Sequence, residues 1–317
     1  MKNLHGISIV LALVTLIFIG SCGQGGQKSI DETPTRGDIK IAVDESFQQL
    51  VDTQIYTFQS LYTYAKIQPL YKPEADVISA FMKDSVRTML ITRKLTKAEE
   101  DWLLSQNFVG RSTLVAYDAI AFVMNNENAD SLINYNAIRD ICNGKIKIWQ
   151  DVNAKSKLGD IKVVFDNAKS GAVRLIKERF NLTQFPANFY AVSNNNEVIN
   201  FVEKNKNSIG IIGVNWISDV NDTVTHNFMN RVKVAAISSQ ASPDTPEFFK
   251  PLQGFIYNKN YPFVREVYMV GRETFAGLGY GFTSFVAGEI GQRIILKSGL
   301  VPATMPIRLI QTKKDFN

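Results

Sequence analysis

Apolar and polar positions along this chain alternate between two periods. A short apolar run, Ile39–Val43, is followed after Asp44-Glu45-Ser46 by apolar positions at Phe47, Leu50, Val51, Ile55, Phe58, Leu61 and Tyr62. The run reads as a buried strand, and the positions spaced by three and four read as a helix. The unit recurs. A strand over 65–71 meets the turn Lys72-Pro73-Glu74, which opens a helix carrying Val77, Ile78, Phe81 and Met82, and a third strand runs over 87–92. Thr96 and Glu99 have capping-box spacing and start the next helix. Further on, a strand over 161–165 leads through Ser170-Gly171 into a helix with Val173, Ile176 and Phe180. A strand over 189–192, a helix capped by Asn195 or Asn196, and a strand over 208–214 follow. Repeated strand-helix-strand units predict an α/β fold with mostly parallel sheets and helices on both faces.

The N-terminus carries a different pattern. Lys2 precedes the apolar stretch Ile7–Ile19, which is too short to span a bilayer comfortably and ends at Ile19-Gly20-Ser21-Cys22. This resembles the lipobox of bacterial lipoproteins, so residues 1–21 are expected to be a signal peptide and Cys22 the lipidated residue. Residues 22–36, rich in Gly, Gln, Ser and Thr, read as a flexible tether. The acyl chains would then hold the folded part at the extracytoplasmic face of a membrane.

Composition narrows the chemistry. Of 317 residues, 45% are apolar and 21% charged, enough to bury a core and too apolar for a disordered chain. Lys+Arg number 35 against Asp+Glu 30, without a long basic run, so nucleic acid is not an expected partner. With two histidines and two cysteines, of which His5 and Cys22 belong to the processed N-terminus, His226 and Cys142 are left. A Cys/His metal site and an intramolecular disulfide are thereby excluded, and His226, in a polar stretch, reads as a surface-loop residue. Gly277-Leu278-Gly279-Tyr280-Gly281 echoes a dinucleotide fingerprint but lacks its strand-to-helix context, and reads as the entry to a late helix. The aromatic cluster Phe47, Tyr56, Phe58, Tyr62 and Tyr64 reads mostly as core, with Tyr62 or Tyr64 facing solvent.

Four collinear segments carry a resemblance. Tyr117–Asn125 (YDAIAFVMN), Ile138–Trp149 (IRDICNGKIKIW), Tyr261–Arg265 (YPFVR) with Tyr268, and Phe285–Ile295 (FVAGEIGQRII) with Gly299–Pro302 (GLVP) are similar to the phosphate-binding proteins of the Pst-type ABC importer. The resemblance implies a two-lobed periplasmic-binding-protein type II fold with two crossover strands. Lobe 1 would comprise 37–118 and 224–317, and lobe 2 residues 119–223, closing on a ligand by hinge motion.

The same resemblance places an oxyanion site on four loops. The first is Val43–Ser46, where Ser46 offers a hydroxyl and a helix-start N–H. The second is Lys72–Ala75, and the third Thr92–Leu95, in which Arg93 forks onto two oxygens. The fourth is Asp166–Ala172, where Ser170 and Gly171 match the family pattern while its arginine and threonine are missing. Telling phosphate from sulfate needs an acceptor for the ligand's proton, and Asp166, Glu74, Glu45 and Asp44 are candidates. A carboxylate beside a fully ionised guest is repelled by about 4 kcal/mol per charge pair at 4 Å and an effective dielectric near 20. Most of the four are therefore expected to point away. The expected function is capture of phosphate or a similar oxyanion for an importer permease, with no catalysis, metal or cofactor. The alternative is an envelope sensor or interaction lipoprotein of the same fold with altered or lost oxyanion binding, favoured by the acidic loops.

Overall fold

The nine residues from Ala116 to Met124 include only two polar side chains, Tyr117 and Asp118, and form the middle of the longest strand. In the computed structural model, which describes residues 32–218, 228–239 and 246–307, that strand is β4 (Arg111–Asn125). A run this apolar has no solvent face and must be covered on both sides. Its two halves pair with different partners. On one flank lie β1 (Gly37–Asp44), β2 (Ala65–Lys72) and β3 (Thr88–Ile91), and on the other β6 (Lys162–Phe165), β7 (Phe189–Ala191) and β8 (Ser208–Gly213). The strand β12 (Val264–Gly271) joins β3 to residues 111–119 of β4, while β8 and β9 (Val232–Val234) take residues 120–125. The order is β2-β1-β3-β12-β4-β8-β6-β7, with β9 and β13 (Val301–Pro302) also on β4. Three short strands, β5 (Leu132–Ile133), β10 (Ala236–Ser238) and β11 (Phe248–Phe249), make a separate small sheet.

The sheet is mixed. Pairs β1–β2, β1–β3, β6–β7 and β6–β8 are parallel, as strand-helix-strand repeats require, whereas β12 and β4 run antiparallel to their neighbours. The carboxyl ends of β1, β3, β6 and β8 are where helices begin, and loops at such ends are the usual place for ligands.

Local signals placed most elements within a residue or two. The helix Gln48–Leu61 buries Leu50, Val51, Gln54, Ile55 and Phe58. The Phe58 ring meets Phe282 at 5.4 Å and Phe285 at 5.2 Å, and Gln54 Nε2 donates to the Gly291 carbonyl at 2.8 Å. Tyr56, expected in the core, is 75% exposed because it follows Ile55 on the opposite helix face. Tyr64 is exposed as well. Thr96 and Glu99 form both halves of the capping box, while Asn194, one residue before the expected caps, receives the Glu197 N–H at 3.1 Å. Gly277 caps the helix Leu278–Ala287, whose glycines serve packing: a Cβ on Gly281 would sit 1.8 Å from the Pro34 carbonyl oxygen. Thr33–Arg36, the end of the expected tether, therefore forms a turn against this helix.

The signal segment, Cys22, most of the tether and His226 lie outside the described residues. Among the described residues no helix is long and apolar enough to cross a membrane. Cys142 is buried, and burial pushes its thiol up to about 12, so it is a packing residue with little thiolate character.

Candidate functional site

Six chain segments bring buried polar groups to one place, four of them at the carboxyl ends of β1, β3, β6 and β8. The strand β1 ends at Asp44, whose Oδ1 accepts the Ser46 N–H at 3.0 Å. A single 3-10 turn, Glu45–Phe47, intervenes before the helix at Gln48, so Ser46 lies in the turn and not at the helix start. The strand β3 ends beside Thr92. The strand β6 leads to Asp166 and then to the helix Gly171–Phe180, capped by Ser170, whose Oγ accepts the Val173 N–H at 3.3 Å. On β12, Arg265 stands opposite Asp118 of β4 in register. Beyond β8, Asn215 donates its amide to the Ser46 carbonyl.

Gly171 shows how tightly these parts meet. A Cβ built on it would lie 2.5 Å from Thr92 Oγ1, 3.1 Å from Arg265 Nη1 and 3.1 Å from Asp44 Oδ2. A hydroxyl, a guanidinium and a carboxylate thus converge on the first residue of a helix, whose leading N–H groups lack intrahelical partners and attract anions. Arg265 Nε and Nη2 hold Asp118 Oδ2 at 2.8 and 2.7 Å, with both side chains fully buried. Its Nη1 has no hydrogen-bond partner among the described residues, nor has Asp44 Oδ2. Phe47 backs the guanidinium at 5.3 Å.

A second arginine closes the gap from the other side. Glu74 accepts Thr92 N at 2.7 Å and Oγ1 at 2.5 Å on one oxygen, and Arg174 Nε at 2.6 Å on the other. Arg174 also reaches Thr92 O at 3.1 Å and Oγ1 at 3.0 Å, and Glu178 at 2.7 Å. Ala75 N–H bonds to the Lys169 carbonyl at 3.2 Å, and Lys169 Nζ pairs with Asp76 at 2.9 Å. The loops after β2 and β6 are therefore clasped together directly.

Burial raises the carboxyl of Asp44 to about 7, against the pull of Arg265 and with a push from Glu74. Burial also raises Asp166 and Glu45, Glu45 being pushed further by Asp166 and Asp76. For Glu74 burial acts upward too, but Arg174 and the Thr92 donors outweigh it and hold the group below the ordinary carboxylate value. Among the described residues no group of three or more His, Cys, Asp or Glu is placed to hold a metal ion.

The sequence-predicted residues divide. Ser46, Glu74, Asp166, Ser170 and Gly171 are buried in this cluster, and Glu45 borders it with one buried, unpartnered oxygen. The acidic members do not point away: Asp44 faces the helix start directly. Arg93 is turned elsewhere, both Nη atoms lying on Glu99 at 2.7 and 2.8 Å, with a further bond to the Lys94 carbonyl. The cation at Gly171 comes instead from Arg265, which sequence reasoning placed only in a motif. Thr92 and Asn215 were likewise missed as contributors. One signal was available: Asp118 is a lone charge within the apolar part of β4, the mark of a buried group that needs a partner.

A sequence profile described as the PBP superfamily domain matches residues 29–289. The chain belongs to the PBP superfamily. Among curated relatives of this PBP chain is the phosphate-binding protein PstS of Staphylococcus aureus (strain USA300), 24% identical over 208 residues. That match spans 65% of this chain and 62% of the relative's length. A substrate-binding protein of Clostridium perfringens, crystallised with bound phosphate, superposes with a TM-score of 0.71 at 19% identity, covering 84% of this chain and all of that one. An ABC-type phosphate transport receptor from Vibrio cholerae gives 0.64 at 17% identity, with 84% and 100% covered. These likenesses establish the two-lobed PBP type II fold.

Proposed function

We propose that this PBP chain is a lipid-anchored solute-binding protein that captures phosphate, or a similar small oxyanion, between its lobes and delivers it to the permease of an ABC importer. Lobe 1 is residues 37–118 with 224–317, lobe 2 is 119–223, and β4 runs through the hinge. The reading rests on the convergence at Gly171 of a helix start, the Thr92 hydroxyl and the unengaged Nη1 of Arg265. Charge-assisted hydrogen bonds of this kind contribute about 1.5–3 kcal/mol each. Entry of a guest requires the Glu74–Arg174 and Asp76–Lys169 clasps to part, which is a hinge opening. No bond is made or broken in the ligand.

Calorimetric titration of the purified chain with phosphate and with sulfate tests the proposal. Binding of phosphate is expected to survive Arg93→Ala within about twofold, because that guanidinium is committed to Glu99. A large loss of affinity in Arg93→Ala would return the cationic role to that residue. The sensor reading is favoured by one observation: Glu74 already occupies Thr92 and Arg174, donors that an anion would take. Silence toward both oxyanions would support it.

Anchoring is proposed at Cys22, with the folded part in the periplasm or on the extracytoplasmic face. Cys22→Ser is expected to move the protein from the detergent phase to the aqueous phase on Triton partition. Retention in the detergent phase would remove the lipid from the proposal.

A further inference from the structure

The charges around Gly171 are not balanced by the protein itself. Arg265 is matched by Asp118, and Arg174 by Glu74. Asp44, Glu45 and Asp166 remain, with no cation among the described residues bonded to any of them. Asp44 is fully buried and Asp166 nearly so. Asp44 Oδ2 and Glu45 Oε1 are buried with no hydrogen-bond donor among the described residues. Among the described residues Asp166 receives its neighbour Asn167 N–H at 2.8 Å, the Asn195 amide at 3.4 Å, Ser170 and its own backbone N–H. The charged groups facing this trio are Arg265 on β12, Asp118 on β4, Glu74 and Asp76 at the start of the helix Glu74–Met82, and Lys169 and Arg174 around the helix Gly171–Phe180. Arg93 stands behind Glu74 and is matched by Glu99. Each cation among them is already paired.

Buried acceptors without donors call for a guest that brings its own hydrogens. A doubly charged guest meets one free guanidinium edge and up to three carboxylates, a repulsive balance in a site of low effective dielectric. We propose that this site takes its tetrahedral oxyacid as the singly charged, doubly protonated species, one ligand hydroxyl donating to Asp44 Oδ2 and a second to the Asp166–Glu45 side. Arg265 Nη1, Thr92 and the helix start hold the remaining oxygens. The proposal rests on the oxyanion reading and deepens it by naming the ligand's ionisation state. It admits phosphate and arsenate, whose monoanions carry two hydroxyls, and rejects sulfate, which carries none.

The test is calorimetry of the full-length chain in mild detergent, titrated with inorganic phosphate at roughly pH 6, 7.5 and 9. Apparent affinity is expected to fall about tenfold per pH unit on the alkaline side, the slope for one obligatory proton. Asp44→Asn keeps the acceptor for the Ser46 N–H and removes one negative charge. It is expected to bind phosphate at least about tenfold more tightly than the parent near pH 9 and to give measurable heat with sulfate. Asp166→Asn provides a second variant should the first fail to fold, with the same direction expected. Phosphate affinity that stays constant or rises from pH 6 to pH 9 overturns the inference and leaves oxyanion capture standing. No phosphate heat at any of these pH values overturns both.

Discussion

Arg265→Met is expected to weaken phosphate capture roughly tenfold to over a hundredfold and to destabilise the fold by about 3–5 kcal/mol, because Asp118 is left as a buried charge without its partner. The two losses have different origins and separate experimentally. Removal of the partner strands a carboxylate that no other cation among the described residues contacts directly, and that is a folding cost. Loss of the Nη1 donor is a binding cost of about 1.5–3 kcal/mol, or roughly tenfold to over a hundredfold in affinity. In the double variant Arg265→Met/Asp118→Leu the buried pair is replaced by apolar side chains, which is often neutral or stabilising. Its melting temperature should recover while phosphate affinity stays reduced. Recovery of binding together with stability would show that Arg265 is structural only.

Gly171→Ala is expected to remove at least about a hundredfold in phosphate affinity by filling the point on which the site converges. The added methyl would sit 2.5 Å from Thr92 Oγ1, and that hydroxyl is anchored by Glu74 and Arg174, so it has no easy retreat. Overpacking of this kind costs about 1–3 kcal/mol. Thermal melts with and without phosphate give the readout. The parent gains stability with ligand by mass action, and the variant should melt at the same temperature in both conditions. A variant that is still stabilised by phosphate would place the anion elsewhere.

Both predictions depend on residues of unequal legibility. Ser170 as a helix cap follows from the strand Lys162–Phe165, the small polar residue and the apolar spacing after it, all within 15 residues. The diversion of Arg93 was also locally readable: Glu99 closes the capping box with Thr96 and its carboxylate sits six residues from the arginine. Arg265 was harder, because its partner Asp118 is 147 positions away and the two meet only when β12 and β4 take their register. Asp44 shows a further limit. The sequence offered it as one of four candidate acceptors, most of them expected to point away, and only the packing of β12 and the helix Gly171–Phe180 around it removes the solvent.

By itself the sequence determined the elements, their βαβ alternation, the capping of the helices and the presence of small polar residues at strand ends. These rest on periodicity and on backbone groups that need partners nearby, so a window of a few residues contains them. Tertiary structure alone decided which guanidinium meets the Gly171 helix start, which carboxylates lose water, and how Glu74 and Arg174 span the gap. Those outcomes depend on strand register and helix placement across more than a hundred residues. Desolvation and Coulomb interaction act through space, and neither follows the order of the chain.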